Sequence, residues 1–309
     1  MSEHVIETNG LTRFFGRNCV VNELNLKIPR GSIFGFLGRN GAGKSTTIRM
    51  LLGLLAPTRG SARVLGRDSA ALTPDDRARI GYLPEGHHVY GWMTVSECGE
   101  FQRAFYNQWN DEIFHAVLSH FRLDMKTKAG NLSRGQRAGL CLALVLAPEP
   151  ELLVLDDPAL GLDPVARRSL IQSMLYVTRK ADRTILFSSH LLSDVERVAD
   201  EIAVLDRGVL RACCRQDTFR RQVRQFTLRY ADGEPPPLPA LTGLLQSFRT
   251  EREVSLTVAN LSADDERALR ALPNVSVEET PLSLEDAFIS YVSERGEKSF
   301  FTKDLEGVK

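Results

Sequence analysis

The stretch GRNGAGKS, residues 38–45, constrains this 309-residue chain more than any other. Closely spaced glycines ending in Lys-Ser let backbone N–H groups close around phosphate, and a helix starting there adds the positive end of its dipole. The flanks agree: SIFGFLG, residues 32–38, reads as a buried strand, and TTIRMLLGLL, residues 46–55, as a helix ending before APTRG. Gly38, Asn40, Gly41, Ala42, Gly43 and Thr46 are expected to cradle phosphates, Lys44 to reach the β and γ phosphates, and Ser45 to coordinate Mg²⁺. A chance match to this pattern arises in about one chain in a hundred. The expected ligand is therefore ATP or GTP.

Strands and helices alternate for about 200 residues, which predicts a mainly parallel α/β sheet covered by helices, with ligands at the carboxyl ends of its strands. Residues 80–86 read as a strand running into a loop, residues 151–157 as a strand, and residues 95–121 as helical throughout. Helix starts are marked by Thr73-Pro74 and Asp163-Pro164, with an N-cap followed by proline at the first helical position. After Cys214 the composition shifts to a basic, glutamine-rich connector, residues 215–224, and then to QFTLRY, EPPPLP, EVSLTV and NVSVEE with helices from Ser262 and Ser283. The expected organisation is a nucleotide-binding domain over residues 1–214 and a small α+β accessory domain over residues 215–309.

Charge names no partner, because 39 basic residues balance 39 acidic ones and give no general pull toward nucleic acid. No apolar run approaches the roughly 18 to 20 residues needed to span a bilayer. The first ten residues lack the basic and apolar regions of a signal peptide. Five cysteines without ligand spacing read as reduced thiols, the adjacent Cys213 and Cys214 included. A cytoplasmic location follows as the expectation.

A phosphate loop leaves many activities open, and NLSRGQR, residues 131–137, narrows them. It resembles the LSGGQ signature of ABC ATPases. The surrounding motifs occur in that family's order: FFG ending at Gly16, the glycine loop, GYLPEG, LSRGQ, LLVLDDP, GLDP and SSH ending at His190. The resemblance covers residues 5–214. It implies a P-loop NTPase fold of ABC type, with an antiparallel β subdomain and a helical signature subdomain at about residues 90–147. It also implies that Phe15 stacks on adenine, that Ser133, Gly135 and Gln136 contact nucleotide, that Asp156 holds Mg²⁺ through water, and that His190 contacts the γ-phosphate. Asp163 falls in the dimer-facing loop of the family.

Three residues depart from the family pattern. Glu85 replaces the usual glutamine, exchanging an amide for a carboxylate that can ligate Mg²⁺. Arg134 replaces the first glycine of the signature. Asp157 stands where glutamate usually orients the attacking water; aspartate is one methylene shorter, about 1.5 Å of reach, and a misplacement near 1 Å can cost about a hundredfold in rate. A slow ATPase with Asp157 and His190 as the catalytic pair is the expectation.

GYLPEG with MTVSE behind it, and the tail PLSLEDAFISYV, are similar to the ATP-binding subunits of ABC-2 type exporters. With one cassette and no membrane span, that reading implies a homodimer on the inner face of a membrane, bound to a separately encoded permease. Two alternatives remain at this level. One is a soluble ABC ATPase acting on nucleic acid or ribosomes, against which the short stretch from Thr46 to Asn131 argues. The other is an ATP-gated interaction module without turnover, which Asp157 and Glu85 keep open.

Overall fold

Two compact units divide the chain, Met1–Cys214 and Arg215–Lys309. The computed structural model describes residues 3–179, 183–189, 191–230, 237–250 and 252–292.

The first unit begins with β1 (His4–Phe15), β2 (Asn18–Leu24) and β3 (Lys27–Pro29), both later strands pairing antiparallel with β1. Next come β4 (Ile33–Leu37), the glycine loop and α1 (Lys44–Leu51), and then β5 (Arg59–Val64) and β6 (Arg67–Asp68), which complete the antiparallel sheet beside β1. Ile6, Leu11, Val21 and Ile28 of this sheet form one buried cluster with Phe34 and Phe36 of β4 and Ile48 and Met50 of α1. Each such side chain contributes about 1.5–3 kcal/mol on burial. The helix behind the phosphate loop is thus anchored from below by two sheets.

The chain continues through α2 (Pro74–Ala78), β7 (Ile80–Leu83), α3 (Val95–Arg103), α4 (Asp111–His120), α5 (Arg134–Leu146) and β8 (Leu152–Asp156). It then forms α6 (Pro164–Arg179), β9 (Thr184–Ser189), α7 (Leu192–Val198), β10 (Glu201–Asp206) and β11 (Val209–Arg215). The main sheet has the order β11-β10-β4-β9-β8-β7. Its pairs β10/β4, β4/β9, β9/β8 and β8/β7 are all parallel. The carboxyl ends of β4, β8 and β7 therefore share one edge, and each leads into one of the motifs read above. At the opposite edge Arg79 donates to both oxygens of Glu151 at 2.6 and 3.0 Å, and Arg30 adds a third bond at 3.2 Å. These bonds tie the starts of β7, β8 and β4.

Local signals explain the helix starts. Thr73 and Asp76 form a reciprocal capping box at α2, with Pro74 at the first helical position. Asp163 Oδ1 accepts from the N–H groups of Val165 and Ala166 at the start of α6. One expectation needs correction: residues 95–121 are not helical throughout. Asn110 accepts from the Ile113 N–H at 3.0 Å, and Asp111 and Glu112 occupy the next turn, so a fresh capped start outcompetes continuation of α3.

The second unit contains α8 (Gln216–Gln222), β12 (Val223–Tyr230), β13 (Leu244–Arg249), β14 (Glu253–Ala259), α9 (Ala263–Arg270), β15 (Val275–Thr280) and α10 (Leu284–Val292). Its sheet is antiparallel in the order β13-β14-β12-β15, built on Phe226, Leu228, Val254, Leu256 and Val258. Residues 215–224 are therefore a helix and the start of a strand rather than a connector. Arg224 bridges Glu266 and Glu279 with four bonds of 2.6–3.0 Å, linking β12, α9 and β15.

Candidate functional site

The loop after β4 turns on Gly43, whose φ of 103° and close approach to the Val20 carbonyl leave no room for a side chain: a Cβ would lie 2.6 Å from that oxygen. Lys44 is 8% exposed and donates to the carbonyls of Gly38 at 2.7 Å and Arg39 at 3.3 Å. Burial pushes its pKa down, while Asp157, Asp156 and Glu85 pull it back up. A cation so enclosed suits an anionic oxygen such as that of a phosphate.

Asp156 ends β8 at 3% exposure, and its Oδ1 accepts from Ser45 Oγ at 3.1 Å and from Ser188 Oγ at 2.8 Å. The Ser188 hydroxyl also accepts the Asp157 N–H at 2.9 Å. Asp157 leaves the strand with φ 49°, a left-handed conformation that costs a non-glycine residue about 1–3 kcal/mol. Directly after it, the Pro158 carbonyl accepts from Nε2 of the buried His87 at 2.7 Å.

These elements enclose a cavity of about 320 Å³ lined by residues 40–46 with Glu85, Asp156 and Asp157. All the phosphate-loop residues expected at the site after Gly38, and all three carboxylates, meet there. Gly38 contributes its carbonyl to Lys44. Ser45 and Asp156 offer hard oxygen donors of the kind that would hold Mg²⁺. Val20 and Leu160 also line the cavity, and Ser188 braces both aspartates. None of these three was read as a site residue; Ser188 lies inside the SSH motif, but nothing in the motif marks its bonds.

Other expected residues lie elsewhere. Phe15 is 48% exposed beneath the Arg13 guanidinium, 4.7 Å from the ring centre, and does not line the cavity. Ser133 and Gln136 form a capping box at the start of α5, with bonds of 3.1 and 3.2 Å. Gly135 permits α5 to meet α6, since a Cβ there would lie 2.7 Å from that of Ala166. His190 lies outside the described residues.

The profile of the ABC transporter family matches residues 21–160. Over 308 residues the chain is 33% identical to the Nod factor export ATP-binding protein I of Rhizobium sp. (strain N33), covering 96% of this chain and 100% of that one. The chain belongs to the ABC transporter family. This ABC ATP-binding subunit is also 34% identical over 224 residues to the bacitracin transport ATP-binding protein BcrA of Bacillus licheniformis, covering 72% of this chain and 73% of that one. The solved structure of the ATP binding subunit of an ABC transporter aligns with a TM-score of 0.64 at 29% identity, covering 71% of this chain and 92% of that one. The Rhizobium match spans most of the cassette and of the second unit alike. Among the described residues of this subunit, no helix is long and apolar enough to cross a membrane.

Proposed function

We propose that this ABC subunit binds Mg-ATP and hydrolyses it slowly to power an exporter whose membrane-spanning permease is a separate chain. The observation that carries the reading is the convergence of Lys44, Ser45, Asp156 and Asp157 on one cavity. Lys44 neutralises the phosphates, Ser45 and Asp156 hold the magnesium ion, and Asp157 orients the attacking water. Positioning and charge stabilisation of this kind are most of what phosphoryl transfer requires. His190 would contact the γ-phosphate, Phe15 would stack on adenine, and Glu85, which lines the same cavity, would add a carboxylate for the ion. The names of two of its relatives, a Nod factor export protein and a bacitracin transport protein, support a transport role.

Ser133, Gly135 and Gln136 lie at the start of α5, apart from the cavity of their own chain. A closed site then needs the signature of a second copy over the nucleotide of the first, so the working form is an ATP-driven homodimer. Trp92 and Phe105, each 68% exposed, form an aromatic cluster with Tyr90 and Phe101 that continues the chain segment from Glu85. Such a cluster suits an apolar helix of a permease. The C-terminal unit, residues 215–309, is an accessory domain that steadies this assembly at the inner face of a membrane.

A second reading, an ATP-gated switch without turnover, draws on the short side chain of Asp157. Steady-state hydrolysis and nucleotide binding by wild type, Asp157→Ala, Asp157→Glu and Lys44→Ala separate the two. Expected are a loss of about a hundredfold in turnover for Asp157→Ala with affinity kept, equal or faster turnover for Asp157→Glu, and lost binding for Lys44→Ala. Wild-type turnover at the Lys44→Ala background, with Asp157→Glu switched on, would select the second reading.

A further inference from the structure

The Asp157–Pro158 turn is held from two directions. On one side, Ser188 of β9 takes the Asp157 N–H through both its hydroxyl, at 2.9 Å, and its carbonyl, at 3.2 Å. On the other, His87 Nε2 lies 2.7 Å from the Pro158 carbonyl. A carbonyl oxygen only accepts, so Nε2 carries the hydrogen and the imidazole is the donor. His87 is 5% exposed, so this bond is made out of contact with bulk water. The backbone at His87 is itself left-handed, with φ 50°, as is Asp157 at φ 49°. Two uncommon backbone conformations are thus joined through one buried side-chain bond. Only Gly86 separates His87 from Glu85, which lines the nucleotide cavity.

We infer that His87 is a positioning residue that fixes the Asp157 carboxylate by holding the Pro158 carbonyl, and so links the Glu85 wall of the nucleotide cavity to the acid that orients water. The inference rests on the role given to Asp157 above. Its physical logic is reach: a short acid tolerates little wander in the backbone that carries it, because a displacement near 1 Å costs about a hundredfold. Ser188 fixes where that backbone begins its turn, and His87 fixes where it goes next. Neither lines the nucleotide cavity.

The test uses the full-length chain with His87→Asn, His87→Gln, Asp157→Ala and the double variant His87→Asn/Asp157→Ala. Asparagine tolerates the left-handed backbone but falls roughly 1 Å short of the carbonyl, whereas the glutamine amide reaches it. Expected are a fall of tenfold or more in kcat for His87→Asn, with KM for ATP and Mg-free ATP affinity within twofold of wild type, and recovery of at least half the rate by His87→Gln. The double variant should be no slower than Asp157→Ala alone. Amide exchange over residues 157–162 should quicken in His87→Asn and return in His87→Gln. Unchanged kcat and exchange in His87→Asn, or a further loss in the double variant, would overturn the inference. If Asp157→Ala keeps wild-type turnover, the role of Asp157 falls instead, and the inference with it. If wild type itself does not turn over, the exchange measurement decides alone.

Discussion

Ser188 Oγ lies 2.8 Å from Asp156 Oδ1 and gives that carboxylate its hydrogen, while the same oxygen receives the N–H of Asp157. One fully buried hydroxyl therefore orients two consecutive acids. Ser188→Ala removes a bond to a charged acceptor, worth about 1.5–3 kcal/mol. The Mg²⁺ concentration for half-maximal hydrolysis should rise severalfold and turnover should fall about tenfold, with Mg-free ATP affinity unchanged. Magnesium titration of ATPase rate beside equilibrium nucleotide binding is the check.

A closed pair of subunits should accumulate when hydrolysis is blocked. Asp157→Asn with ATP is expected to scatter light as twice the 34.4 kDa chain, and to return to the monomer mass when nucleotide is removed. Adding Gly135→Val should prevent the pairing, because its side chain overlaps Ala166 and pushes α5 away from α6. A monomer at high concentration with saturating ATP would refute the homodimer.

A chain ending at Arg215 should retain ATP affinity within about twofold, since every residue lining the nucleotide cavity precedes Cys214. Its ATP-dependent dimer should dissociate more readily. Loss of nucleotide binding on truncation would place the domain boundary wrongly.

The second unit should weaken in acid. Bonds from Arg224, and then Arg270, hold Glu266 down to about 2, and Arg224 also holds Glu279 below its ordinary value. Groups with depressed folded pKa values contribute stability that is complete above the unfolded carboxylate range and is lost as pH falls through the folded value. The melting temperature of the isolated unit should therefore drop between about pH 5 and pH 2. Arg224→Met should flatten that drop, although each solvent-facing pair contributes only on the order of 1 kcal/mol or less.

The glycine loop, the two strand-end aspartates and the alternating order of the cassette were legible because each depends on local chemistry: glycines beside Lys44, apolar runs ending in acid, and capping residues at Thr73 and Asp163. The break before Asp111 was harder, since a run of residues compatible with helix conceals a capped restart at Asn110. Strand β13 escaped because LLQSFR is half-buried at most and follows no two-residue alternation. Helix α8 looked like a connector because its basic residues, Arg220 and Arg221, sit in a last turn where they complement the helix dipole. Within the site, Ser188 and His87 act through bonds to residues 31 and 71 positions away. No sequence spacing encodes such pairings.

The near-contact of Gly135 with Ala166 has a consequence for drift among related chains. Two helix starts, one beginning just after Ser133 and one just after Asp163, share a single volume there. Bulk gained at position 166 can be absorbed only if position 135 stays without a side chain, so the two sites should trade size as a pair. The loop at Asp163 and the signature are then geared: neither can be re-aimed without carrying the other along.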